Sequence, residues 1–114
     1  MDIVVVGDKI SLEELKKLAK VFYVSMIKGV VDIEKEIITF GGEYHMDANV
    51  KILENGSIQK DVWGFNIYFD KPRDEWIEYT SLINIRPQQD SYSMEIYNEE
   101  IRNRMKEIIN SKII

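Results

Sequence analysis

The sequence predicts an α+β fold: two layers, a mostly antiparallel sheet with two helices packed on one of its faces, in the order β-α-β-β-β-β-(β)-α. Three observations predict it. Two stretches repeat their apolar residues at helical spacing behind a side chain able to cap a helix. The region between them changes to a period of two. Within that region, successive strands each carry one apolar and one polar set of side chains, the pattern of an antiparallel sheet covered on one side. With 114 residues, 45% of them hydrophobic, the chain has the size and the apolar content of one domain, 1–114.

Ile3–Val6 is a short apolar run of β-formers and reads as a buried strand. Ser11 opens the first helix, its hydroxyl placed to accept from the Glu14 amide while the Glu14 carboxylate reaches back. Leu12, Leu15, Leu18, Ala19, Phe22 and Met26 continue one apolar stripe, and Gly29 is placed to end the helix. Val30–Phe40 is strand-like with a break around Glu34-Lys35-Glu36, and Gly41-Gly42 stops it. Glu43–Leu53 alternates as a strand, and Glu54-Asn55-Gly56-Ser57 reads as a hairpin turn leading to a returning strand, Asp61–Phe69. Pro72 marks a loop, Trp76–Arg86 is the next strand, and Ser93–Tyr97 reads as a short edge strand. Asn98 caps a last helix with Ile101, Met105, Ile108 and Ile109 on its apolar face. Its acids lie at the start and Lys112 near the end, as the helix dipole favours.

Sorting strand residues by parity places Glu43, His45, Asp47, Asn66, Asn84 and Arg86 on one polar face. That mixture is richer than solubility needs. It points to binding of a small polar or anionic ligand, with Asn84 and the planar fork of Arg86 orienting it and Glu43, His45 and Asp47 supplying acceptors. Glu95 stands beside this group as a further ligand-binding residue.

His45 is the sole histidine, so any imidazole acid–base step must use it, with Asp47 as its catalytic partner. An enzyme with His45 as general base is therefore the alternative to a binding domain. Metal assistance would engage His45 and Asp47, since Glu43 and Asp47 would lie roughly 13 Å apart on a regular strand at ~3.3 Å per residue. A third alternative is a homodimer built through the polar face or an exposed edge strand, without catalysis. No cofactor is assigned.

The absence of cysteine removes disulfides, thiolate nucleophiles and sulfur-based zinc sites. A formal charge of −5 argues against a nucleic-acid partner. The first residues lack the basic and long apolar regions of a secretion signal, and no run approaches the ~20 apolar residues of a membrane span, so a cytoplasmic location is expected.

Four segments together resemble an uncharacterised family of small bacterial and archaeal proteins, a domain of unknown function. They are Gly41-Gly42-Glu43-x-His45-x-Asp47; Leu53-Glu54-Asn55-Gly56-Ser57-x-Gln59 with Trp63-Gly64; Ile83-Asn84-Ile85-Arg86-Pro87; and Ser93-Met94-Glu95-Ile96. The family pattern has Asn-Arg before the serine of the last segment, where this chain has Ser91-Tyr92. The resemblance covers nearly the whole chain and implies no reaction, cofactor or catalytic residue. The residues shared with the family coincide with the polar face.

Overall fold

The computed structural model describes residues 2–114, so Met1, the first residue of the expected domain, lies outside it. Its elements are β1 (Ile3–Val6), α1 (Leu12–Ala19), β2 (Met26–Asp32), β3 (Ile37–Gly41), α2 (His45–Glu54), β4 (Val62–Tyr68), β5 (Ile77–Glu78) and α3 (Glu99–Lys112). The strands form one antiparallel sheet in the order β1-β3-β2-β4-β5. The α+β class and the antiparallel sheet are as expected, but the order is β-α-β-β-α-β-β-α.

The expected caps are present at α1 and α3. Ser11 Oγ accepts from the Glu14 amide at 3.1 Å, and Asn98 Oδ1 accepts from the Ile101 amide at 3.0 Å. The helix that the stripe carries to Gly29 stops instead at Ala19, and Met26–Asp32 enters the sheet centre. There Gly29–Asp32 pair with β3 on one side and the whole strand pairs with β4 on the other, so the sheet supplies backbone partners that a helix would supply locally.

The break expected around Glu34-Lys35-Glu36 is the turn between β2 and β3. Asp32 Oδ1 accepts the amides of Glu34 and Lys35 at 2.9 Å, and Glu36 takes a positive φ of 57°.

The expected Glu43–Leu53 strand is a helix. Asp47 Oδ2 accepts the amides of Glu43 and Tyr44 at 3.1 and 3.0 Å, satisfying donors that a helix start leaves open. Ala48 and Ile52, four apart, are fully buried, while Tyr44, Met46 and Val50 of the same alternating set are exposed. Asn55-Gly56 is then a helix stop rather than a hairpin tip. Gly56, at φ 100°, donates to the Leu53 carbonyl and Ser57 to that of Ile52.

Trp76–Arg86 keeps only Ile77–Glu78 as strand, followed by a single 3-10 turn at Leu82–Asn84. The Ser93–Tyr97 edge strand is reduced to one bridge, Thr80 with Glu95.

Alternation along the strands sorts the core into two clusters. Ile27, Val31, Ile38, Phe40, Trp63, Phe65 and Ile67 pack with Leu15 and Ala19 of α1 and Met105, Ile108 and Ile109 of α3. The two helices expected from the sequence thus share one cluster. Val30 and Val62, of opposite parity, pack with Ala48 and Ile52 of α2 and with Ile83. The third helix covers part of the face expected to be bare and polar.

Candidate functional site

Strand register sets out a row of polar side chains on the face that α2 only partly covers. Lys28 of β2 is paired with Asn66 of β4, which is paired with Glu78 of β5. Neighbouring strands lie about 4.8 Å apart, so the three stand side by side across the sheet. Asn66 Nδ2 donates to Glu78 Oε1 at 2.8 Å, and the Tyr68 hydroxyl donates to the same oxygen at 3.1 Å.

The first turn of α2 brings His45 over this row. The imidazole is half-buried and its Nε2 lies 2.8 Å from the Phe65 carbonyl oxygen. A carbonyl only accepts, so Nε2 carries the proton and Nδ1 keeps its lone pair in the neutral ring. Burial holds the His45 pKa below its ordinary value, outweighing the opposing pull of the Phe65 carbonyl, and the nearby Lys28 ammonium lowers it further. Burial also lowers the Lys28 pKa, with Glu78 acting the other way. The Tyr68 hydroxyl is raised by burial and by Glu78.

Lys28, His45, Asn66 and Glu78 line a cavity of about 540 Å³. They form its polar side; Tyr44, Met46, Leu82 and Met94 give it an apolar rim and are all exposed. Asn66 is only 5% exposed, yet its Oδ1 has no hydrogen-bond partner among the described residues. A buried amide oxygen left unpaired costs about 1–3 kcal/mol, so this one, on a residue that lines the cavity, is the feature most in need of a functional account.

Of the residues singled out from the sequence, His45 and Asn66 line this cavity and Glu43, Asp47, Asn84, Arg86 and Glu95 do not. Because α2 is a helix, His45 and Asp47, two apart, point away from one another, and the shared strand face that would have joined them to a ligand or a metal is absent. No group of three or more His, Asp or Glu that could hold a metal ion occurs among the described residues. The Glu43 side chain is exposed, and its carbonyl accepts from the Tyr23 hydroxyl at 2.6 Å. Glu95 lies 3.7 Å from Arg102.

Asn84 and Arg86 are buried and turned onto backbone. Asn84 Oδ1 accepts the Gly64 amide at 2.8 Å, while Nδ2 donates to the carbonyls of Gly64 at 3.0 Å and Met94 at 3.2 Å. The side chain takes over the ladder bonds that β5 would make had it continued. Arg86 donates to the Gln59 and Val62 carbonyls, and its guanidinium lies 3.9 Å from the Trp63 ring centroid. Burial lowers its pKa to about 10.

Lys28 and Glu78 are the charged cavity residues the sequence did not single out, although Glu78 shares the parity of Asn84 and Arg86 in the expected Trp76–Arg86 strand. Lys28 lay inside the expected first helix. A lysine set in a run rich in β-branched residues, Ile27 to Ile33, was the signal available.

A family model described as "Protein of unknown function (DUF5674)" matches residues 4–112. No curated protein and no solved structure matches the chain. Among the described residues, no helix is long and apolar enough to cross a membrane.

Proposed function

The chain belongs to the family described as protein of unknown function (DUF5674), and from that premise we propose that it binds a small ligand with a polar head and an apolar body. The ligand occupies the cavity between the first turn of α2 and the β2-β4-β5 face. The unpaired, buried Oδ1 of Asn66 carries the proposal: His45 is near enough to be affected by the Asn66 side chain, but no described residue gives that oxygen a donor in hydrogen-bonding geometry. Lys28 and His45 add one charged donor and one imidazole beside it, and the rim of Tyr44, Met46, Leu82 and Met94 suits an apolar body. Asn84 serves the site by fixing the Met94 carbonyl, and Asp47 by fixing the turn that delivers His45.

Amide NMR of the labelled protein, titrated with a set of small carboxylic acids, amides and alcohols, tests this. Binding is expected to move the resonances of Lys28, His45, Asn66 and Glu78 together. A set that leaves all four unmoved removes the proposal.

General-base catalysis by His45 is the second function, favoured by the neutral imidazole whose Nε2 donates to the Phe65 carbonyl, which leaves Nδ1 its lone pair. Any turnover would then rise as pH passes upward through the His45 midpoint. His45→Gln, which keeps a donor for the Phe65 carbonyl, would abolish it while ligand binding persisted.

A further inference from the structure

The two ends of the Lys28–Asn66–Glu78 row carry opposite charges, and its middle carries an acceptor without a donor. Lys28 makes no ion pair among the described residues, although the Glu78 carboxylate is close enough to act on its charge. Glu78 uses only Oε1 for Asn66 and Tyr68; its Oε2 takes no hydrogen bond from the described residues. What this row offers is therefore one cationic donor, one neutral acceptor and one anionic acceptor, in that order.

A simple anion would satisfy Lys28 but meet Glu78 and bring nothing to Asn66. A simple cation would satisfy Glu78 and Asn66 but meet Lys28. An ammonium group has three donors, enough for Asn66 Oδ1 and Glu78 Oε2 together. If a carboxylate stands next to it, Lys28 is answered as well. In an α-amino acid the two groups share one carbon, so they can lie across neighbouring positions of a row with a strand spacing of about 4.8 Å. The apolar rim then receives the side chain.

We propose that the cavity takes a free α-amino acid with an apolar side chain, carboxylate toward Lys28, ammonium across Asn66 Oδ1 and Glu78 Oε2, side chain against Met46, Leu82 and Met94. The proposal rests on the cavity-binding function above and narrows its ligand.

Calorimetric and NMR titration of the intact chain with three probes tests it: L-leucine; 4-methylpentanoate, which lacks the ammonium; and isopentylamine, which lacks the carboxylate. Leucine is expected to bind at least tenfold tighter than either analogue, a difference of about 1.4 kcal/mol. Glu78→Gln, which keeps an oxygen for Asn66 and Tyr68, is expected to reduce leucine to the affinity of 4-methylpentanoate. Lys28→Met is expected to reduce it to that of isopentylamine.

If either analogue binds at the Asn66 and Glu78 resonances as tightly as leucine, zwitterion recognition is overturned and the cavity-binding function survives. The same follows if leucine fails at millimolar concentration while other small molecules move those resonances. If no small molecule moves them, both fall. The wild-type comparison stands even where a variant folds poorly.

Discussion

His45 shows how a single side chain can be recognised from the sequence while its surroundings are not. Being the only imidazole, it was a candidate by its chemistry alone; that it is held neutral follows from burial, which only the fold supplies. Its folded-state pKa lies below the unfolded value of about 6.5, so the unfolded chain binds the proton more tightly. Its contribution to stability is complete above about pH 6.5 and is lost as pH falls through the depressed folded value. An NMR titration of the ring is expected to give a midpoint below 6.5, and urea unfolding should show His45→Gln losing less stability than wild type on going from pH 7.5 to 5. Asn84 and Arg86 were legible as unusual residues for a solvated strand. Their partners were not, because both bind backbone groups of β4 and its approach, Gly64 for one and Gln59 and Val62 for the other. Sequence parity carries no record of which peptide groups a shortened strand leaves open. Asn84→Asp tests that role with almost no change of shape: the Nδ2 that donates to the Gly64 and Met94 carbonyls becomes an oxygen facing two acceptors. The carboxyl must hold a proton to donate, so its folded pKa rises, and stability present below about pH 4 is lost as pH climbs through that raised value. Chemical denaturation is expected to find the variant about 2–4 kcal/mol less stable at pH 7, with a smaller deficit at pH 4.

Among the elements, α3, β4 and the start of α1 were legible because local signals and period agreed, and α2 was misread because its period is ambiguous. Tyr44, Met46, Ala48, Val50 and Ile52 alternate as a strand would, but Ala48 and Ile52 also satisfy the i, i+4 spacing of a helix. The deciding signals were local: an Asp at the third helical position taking amides of the preceding turn, and Asn55-Gly56 where the helix must stop. The opposite error occurred at β2, where a helical stripe was extended through a segment whose ladder pairing overrides it. Gly29 shows why that pairing is close. A Cβ built there would stand 2.5 Å from Phe65 Cζ, so the aromatic ring lies directly over the glycine on the cross-strand pair Gly29–Phe65. Gly29→Ala tests that contact. In the observed sheet it forces the Phe65 ring, itself edge-on to Phe40 with centroids 5.8 Å apart, out of its packing. Thermal unfolding is expected to find the variant destabilised by about 1–3 kcal/mol, the usual cost of overpacking. A neutral or stabilising result would contradict the β2–β4 register.

On the scale of the whole molecule, the sequence conveyed layers but not the order of strands. Alternation states which residues share a face of one strand; it does not state that β2 sits between β3 and β4, nor that the sheet begins at β1 and ends at a two-residue β5. That order places the cavity at the β5 side, where the short strand leaves room beside α2. The distant ends of the chain close on one another elsewhere. Ile10 donates to the Lys112 carbonyl at 2.8 Å, Leu12 to that of Ile114 at 2.9 Å, and Ile114 back to Ile10 at 3.0 Å, with buried Ile113 in the cluster shared by α1 and α3. The Lys9 and Lys112 ammonium groups add bonds to the Ser111 and Gly7 carbonyls, the latter at 2.8 Å. Removing Ile113 and Ile114 deletes two of those backbone bonds and exposes the cluster that Ile113 covers. Burying such a side chain contributes about 1.5–3 kcal/mol and each net hydrogen bond about 1 kcal/mol. Denaturant titration is thus expected to show a loss of about 3.5–5 kcal/mol, enough to unfold a marginal protein. Because Lys28, Asn66 and Glu78 answer to the other face of the sheet, the truncated chain below its melting temperature should give the same ligand-induced shifts at those residues as the full chain. Weakened shifts at 10 °C in a chain still folded by circular dichroism would mean that the two faces are coupled through β2 and β4.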